Sequence, residues 1–274
     1  MVQSVISVTR RKKLRINQLR EDNPLIICLT NDVVKNFTAN GLLSLGASPA
    51  MATEVEELED FIKHAGAVLI NIGSLTKESM PSMEKAAEAA NKHSVPIVLD
   101  PVACSATPFR KAFCLKLIQN YDISVVRGNA SEVKGLIEAA EMKGTDSDLS
   151  LDTVKIAQEA GRKLETAIIV TGKEDAIYVD GQTRKLSNGS AMLTKVTGGG
   201  CLLGAIVSAF IYNEVKPTVS VLVEAVSYYN IAAERAAEQK AGTLPGHFQI
   251  HLLDMLNVIG ENDIAENMRV KEVD

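Results

Sequence analysis

No apolar run in this sequence reaches the ~18 residues of a membrane-spanning helix. Residues 1–20 also lack the apolar stretch of a secretory signal. Neither a spanning nor an exported protein is expected. Cysteine is sparse: the four, Cys28, Cys104, Cys114 and Cys201, show no CxxC or metal-ligand spacing in the 274 residues. Four thiols in a chain with no export signal imply the reducing cytoplasm. Basic charge is short as well. The formal net charge is −5, which advertises no face for nucleic acid. The one basic cluster, Arg10–Arg15, reads as a solvated first helix rather than a nucleic-acid or membrane contact. Tryptophan is absent and aromatics make up 4%, so the core has to be aliphatic; 46% hydrophobic residues supply ample material for it.

What is present is a regular alternation. Short apolar, β-branched runs at Pro24–Thr30, Gly66–Gly73, Val95–Asp100, Ile123–Gly128 and Ala167–Gly172 predict strands. Helical patterns at Val33–Leu45, Lys77–Lys92, Phe109–Gln119 and Ser131–Glu141 separate them. A further strand, Ala176–Gly181, follows a tight turn at Lys173–Asp175, and Met142–Ser150 reads as a polar loop. Beyond Cys201 the pattern becomes helical at Leu202–Asn213, Val219–Gln239 and His251–Val258, broken by Pro217 and the Gly242–Gly246 stretch. Strands apolar on both faces that alternate with helices indicate a mainly parallel sheet covered on both sides. The expectation is one three-layer α/β domain over residues 1–274, with a basic segment at 1–20 and a polar tail at 259–274.

Ligands of open parallel sheets bind beyond the carboxyl ends of the strands. The polar residues of this sequence gather there: Asn31 in "LTND", Asp100 in "LDP", Arg127, Asn129 and Glu132 in "RGNASE", and Thr171 in "VTG". Each has two readings. Asp100 before Pro101 is either a turn former or a carboxylate that holds a metal's waters or a substrate hydroxyl. Asn129 and Glu132 have the spacing of a capping box. Glu132 is equally suited to orient water around Mg2+, which keeps several waters when one or two carboxylates bind it. Arg127 at a strand end is placed to grip phosphate, and the Thr171 hydroxyl to meet phosphate or ribose.

The glycine run "VTGGGCLLGA" sharpens this reading. Gly198, Gly199 and Gly200 lead into a helix start, where unpartnered N–H groups and the helix dipole attract anions. An anion hole for a transferring phosphoryl group is expected there. Cys201, in the first helical turn, is expected to have its thiolate stabilised and to act as the general base toward an alcohol. The alternative is a plain turn with a small buried thiol. The run lacks the lysine of a Walker A loop, and Leu29–Lys35 lacks the glycines of a dinucleotide fingerprint. None of the four histidines falls at the expected catalytic edge, so a cysteine hydrolase lacks its base.

Taken in order, "LTNDVVKNFTANGLLSLGASPAMATEVEE", "VLDPVACSAT", "VVRGNASEV", "VTGKEDAIYVDG", "VTGGGCLLGAIVSAF" and "GTLPGHFQIHLLDML" resemble the hydroxyethylthiazole kinase family of the ribokinase-like superfamily. The resemblance runs from about Pro24 to Leu256. It implies a ribokinase-like fold and phosphorylation of 4-methyl-5-(2-hydroxyethyl)thiazole by Mg2+ and ATP, in thiamine salvage. Met51 and Gly198 would contact the thiazole alcohol, with Asn31 beside them; Arg127 and Thr171 would contact ATP. Glu132, with Asp100, would organise Mg2+, and Cys201 would take the place of the aspartate base of sibling kinases. A homotrimer with active sites between subunits is implied too. The chain departs from the family at Ala103, Cys104 and Ser105, where glycines are common, at Gly199, and at "PGHF". The alternatives are a hydroxymethylpyrimidine or pyridoxal kinase, a nucleotide-dependent hydrate dehydratase, and a module that binds ATP without reacting. Cys201 argues against the first two.

Overall fold

Parallel strands that are apolar on both faces need helices on both, and the computed structural model, described for residues 14–138 and 152–273, supplies them. Its first half alternates strictly: α1 (Arg15–Asp22), β1 (Leu25–Leu29), α2 (Lys35–Leu45), β2 (Ser48–Ala50), α3 (Val55–Ile62), β3 (Ala67–Asn71), α4 (Met80–Lys92), β4 (Ile97–Asp100), α5 (Pro108–Asn120), β5 (Val125–Asn129) and α6 (Ala130–Ile137). After α7 (Thr153–Leu164) come three strands, β6 (Ala167–Thr171), β7 (Asp175–Val179) and β8 (Gln182–Leu186). The chain ends in α8 (Gly199–Phe210), α9 (Val219–Glu238), α10 (Pro245–Val258), α11 (Glu261–Asn267) and β9 (Val270–Val273).

The nine strands of the described residues join one sheet in the order β2-β1-β3-β4-β5-β6-β7-β8-β9. Pairing is parallel from β2 to β6 and antiparallel from β6 to β9. Side chains alternate between faces along each strand. Ile26, Cys28 and Leu69 therefore pack with α1, α2 and α8–α11, while Ile27, Leu29, Val68 and Ile70 pack with α3–α7. The α8 helix is apolar on almost every side because it is enclosed, between the sheet on one side and α2 and α9 on the others.

The expected strands and helices are present, with shifted ends. Asp175 is the first residue of β7 rather than part of the turn, and α8 begins at Gly199, three residues earlier than expected. The polar segment at 259–274 is regular where it is described. Residues 261–267 form a helix that buries Ile264, and β9 adds antiparallel to β8. This segment is polar because it is an edge strand, where charged side chains face water. It is docked by Asn188, which accepts from the Arg269 N–H at 2.7 Å, and by the ion pair of Arg269 with Glu234. The expected loop at Met142–Ser150 and most of the basic cluster lie outside the described residues. Of the cluster, Arg15 is described, and it pairs with Glu214 against the Tyr212 ring instead of standing solvated.

Candidate active site

The carboxyl ends of five neighbouring strands each contribute one polar side chain. β3 and β4 are in register with Asn71 opposite Asp100. The Asn71 amide donates to Asp100 Oδ2 at 2.7 Å, and its Oδ1 accepts from Asn31 Nδ2 at 3.1 Å. On the other side, Asp100 Oδ1 faces Arg127 Nη1 at 3.6 Å. Arg127 Nη2 in turn donates to Thr171 Oγ1 at 3.0 Å. The row Asn31–Asn71–Asp100–Arg127–Thr171 thus crosses the sheet from β1 to β6. Sequence reasoning does not reach Asn71. Its signal is faint: one amide at the end of an otherwise apolar strand, given meaning only by the register with Asp100.

This row is unusually short of partners. Of the seven buried side-chain atoms without a hydrogen bond among the described residues, three, Thr30 Oγ1, Asp100 Oδ1 and Arg127 Nε, lie on it or beside it. Native proteins rarely leave such atoms unpaired, which makes the row a candidate ligand site. Burial raises the Asp100 pKa to about 7, helped by the Glu132 charge and resisted by Arg127 and Asn71. Burial works against the Arg127 charge too, but Asp100 and Glu132 outweigh it and hold the pKa above its ordinary value.

Glu132 fills its capping role. Its Oε2 accepts from the Asn129 N–H at 2.8 Å while Asn129 Oδ1 accepts from the Glu132 N–H at 2.9 Å, closing the box at the start of α6. Its Oε1 accepts from Ala103 N at 2.9 Å, which ties the loop after β4 to α6. The Cys104 thiol donates to the Glu132 carbonyl.

The glycine turn explains its own composition. Gly198 caps α8 with φ 88°, a left-handed conformation that favours glycine, and a Cβ there would meet Val34 Cγ1 at 2.7 Å. A Cβ on Gly200 would press on the Arg127 guanidinium at 3.0 Å, so this helix start lies directly against the row. The Gly199 N–H is spent on the Val196 carbonyl at 3.3 Å. The amides of Gly200 and Cys201, at the second and third helical positions, are what the turn offers to an anion.

Cys201 is partly buried, and Asn31 Nδ2 donates to its sulfur at 3.7 Å. The expectation of a lowered thiol pKa is corrected. Burial raises it, the Asp100 charge raises it further, and hydrogen bonds from Asn71 and Asn31 together with the Arg127 charge offset only part.

Beside Asn31 and Asn71 opens a cavity of about 490 Å³ lined also by Leu29, Lys35, Glu54, Ser79 and Met83. Met51 does not line it. It sits just past the edge strand β2, half-buried against the α2 side of the core. Of the expected site residues, Asn31, Asp100, Arg127, Glu132, Thr171, Gly198–Gly200 and Cys201 come together, and Met51 stands outside that cluster.

A mainly parallel sheet covered by helices on both faces places the chain in a known α/β fold. A ribokinase-like superfamily protein of Enterococcus faecalis, 14% identical, superimposes with a TM-score of 0.61 over 93% of this chain and 99% of its own, a likeness of fold alone. The family follows from nearer relatives. Residues 16–262 match the model of the hydroxyethylthiazole kinase family. Hydroxyethylthiazole kinase of Macrococcus caseolyticus is 61% identical over 95% of this chain and all of its own length. The solved hydroxyethylthiazole kinase of Pyrococcus horikoshii is 38% identical with a TM-score of 0.84, covering 94% of this chain and 97% of its own. The chain belongs to the hydroxyethylthiazole kinase family.

Proposed function

We propose that this protein transfers the γ-phosphoryl group of ATP to the hydroxyl of 4-methyl-5-(2-hydroxyethyl)thiazole, supplying thiazole phosphate for thiamine salvage. The observation that carries the reading, beside family membership, is the orphaned Asp100–Arg127 pair beneath the α8 N-terminus. Phosphoryl transfer is mostly positioning and electrostatics, and this chain's residues divide that work. Arg127 and Thr171 hold the nucleotide phosphates. The Gly200 and Cys201 amides face the charge that spreads over the transferring group. Asn31 holds the Cys201 sulfur beside the alcohol; with Cys201 in its thiolate form, the alcohol's proton passes to the sulfur as the new P–O bond forms and the bond from the γ-phosphorus to the departing ADP oxygen breaks.

Magnesium fits the donors present. No group of three or more metal-ligating side chains stands together among the described residues, which disfavours an all-protein cage. Two carboxylates, one with an unpartnered oxygen, suit an ion that keeps most of its waters. Asp100 and Glu132 would hold it. When bound, Mg2+ would neutralise triphosphate charge and offset the Asp100 carboxylate that now disfavours the Cys201 thiolate.

Met51 lies outside the cluster on the edge-strand side, which is consistent with a homotrimer in which it meets thiazole in a neighbour's site. No described helix is long and apolar enough to cross a membrane. The four cysteines are all unpaired. Both facts suit a cytoplasmic enzyme.

The direct test incubates purified protein with Mg-ATP and the thiazole alcohol. ADP release should depend on the alcohol, and the phosphorylated thiazole should be seen by mass spectrometry. Faster turnover of hydroxymethylpyrimidine or pyridoxal overturns the substrate, and alcohol-independent ATP binding without product overturns the activity.

A further inference from the structure

The polar row does not end at Thr171. Asp175, at the head of β7, is 6% exposed and carries its charge next to β6. Its Oδ1 accepts from the Gly172 N–H at 3.0 Å, and its Oδ2 accepts from Asn230 Nδ2 at 2.7 Å. Asn230 is buried on α9, far from Asp175 in sequence, and no loop chemistry requires a buried carboxylate–amide pair at this place. The residue before it, Tyr229, is buried too, and its hydroxyl donates to the Gly199 carbonyl at 2.6 Å. Two successive residues of one helix therefore grip two different loops. Tyr229 holds the first turn of α8, whose next amides are those of Gly200 and Cys201. Asn230, through Asp175, holds the turn that begins at Thr171.

We propose that Tyr229 and Asn230 form a brace on α9 that sets the spacing between the phosphate-facing glycine turn and the Thr171–Gly172 turn, with Asp175 as the link to the Thr171–Gly172 turn. All three are positioning residues: none needs to touch substrate. The inference rests on the reading that these two turns bind one nucleotide. The physical logic is that both loops contain glycine and would otherwise sample several separations. A nucleotide whose phosphates lie on one turn and whose remaining contacts lie on the other is bound tightly only at one separation. Buried hydrogen bonds to a charged carboxylate are stiff enough to define it.

The two arms predict different kinetic signatures. Tyr229→Phe removes one hydroxyl and little volume. It loosens the glycine turn, where the charge of the transferring phosphoryl group redistributes most in the transition state, so kcat should fall about fivefold while the KM for ATP rises by a smaller factor, about twofold. Asn230→Asp sets two carboxylates against each other in a buried space, and one of them must be protonated or move. It should raise the KM and the calorimetric Kd for ATP about tenfold, with the KM for the thiazole alcohol within twofold. The double variant Asp175→Asn with Asn230→Asp restores a donor facing an acceptor and should return the ATP Kd to within threefold of the parent. Thermal melting of each variant checks that it is folded.

Equal loss of ATP and alcohol affinity in Asn230→Asp overturns the brace, since that is what a general packing defect produces. So does a double variant no better than the single one. An unchanged kcat in Tyr229→Phe overturns the first arm. Because ATP binding is read by calorimetry without turnover, a protein that binds ATP but does not phosphorylate the thiazole alcohol refutes the proposed activity and leaves this test intact.

Discussion

Asp100 and Asp175 are two buried carboxylates at the same edge of one sheet, with Arg127 between them, and they are treated oppositely. Asp175 has both oxygens satisfied by neutral donors, one from a turn and one from a helix. Asp100 has one oxygen on Asn71 and leaves the other unpaired toward Arg127 at 3.6 Å. A satisfied buried carboxylate defines geometry; an unsatisfied one keeps charge and lone pairs in reserve for something that arrives. The difference separates the region proposed to do chemistry, on β3 to β6, from the region proposed to hold it in shape, on β7 and α9. Substitutions on the two sides test that division, the chemical side first.

The largest effect is expected at Arg127. Arg127→Met removes the cation from the centre of the row and strands Asp100 without a counter-charge. Breaking a buried pair from one side typically costs ~3–5 kcal/mol, and loss of the phosphate contact should reduce kcat/KM by ~1,000-fold or more. Adding Asp100→Asn should recover stability, measured as the urea midpoint, but not activity. If the double variant is as unstable as Arg127→Met, the pair is not the reason for the loss.

Next in size comes Cys201. Cys201→Ala cannot accept the alcohol's proton and should lose ~100-fold or more in kcat. Cys201→Asp can accept it, and the α8 N-terminus favours the charge. It also places a further carboxylate near Asp100, so it should fall between alanine and the parent. An alanine variant with parental kcat would remove the base from the mechanism.

Glu132→Gln is expected to be intermediate. Each carboxylate oxygen accepts a backbone N–H, from Ala103 and from Asn129. A glutamine presents one acceptor and one donor there, so one N–H loses its partner, at a cost of ~1–3 kcal/mol. Turnover should fall further than stability alone explains, and the Mg2+ concentration for half-maximal rate should rise. Stability loss with an unchanged Mg2+ requirement would make Glu132 a cap and nothing more.

The same division explains what is legible in the sequence. Alternating apolar runs announce the sheet, and the polar residues at strand ends announce Asp100, Arg127, Glu132 and Thr171, because each sits in a local pattern. Asn71 and Asp175 are not legible in this way. Asn71 acquires its meaning from strand register. Asp175 is one of three polar turn residues in the sequence, and only a helix more than fifty positions later supplies its partner Asn230. The three glycines are legible as a turn, yet the particular need of Gly200 comes from the Arg127 side chain of another element. The C-terminal strand is hidden by its charges. The Cys201 thiol departs from expectation because a helix N-terminus is visible in sequence, whereas burial beside Asp100 is not.

The smallest expected effect belongs to the supporting side. Asp175→Asn retains every hydrogen bond if the Asn230 amide turns over, so ATP affinity should change little. Its signature is in stability against pH. Burial raises the Asp175 pKa from 3.8 to about 6, against the pull of Asn230, the Gly172 N–H and Arg127. A raised folded-state pKa means that the native protein binds this proton more tightly than the unfolded chain. The associated stability is fully present below about pH 4 and is lost as pH rises through 6. An asparagine has no such loss. At pH 8 the variant should therefore match or exceed the parent, by up to ~2–3 kcal/mol at 1.4 kcal/mol per pKa unit, less whatever the Asp175 charge contributes to Arg127. The advantage should shrink steadily between pH 6 and pH 4. Urea denaturation of both proteins across that range measures it, and an advantage that grows toward acid would mean that Asp175 is charged and stabilising in the native state.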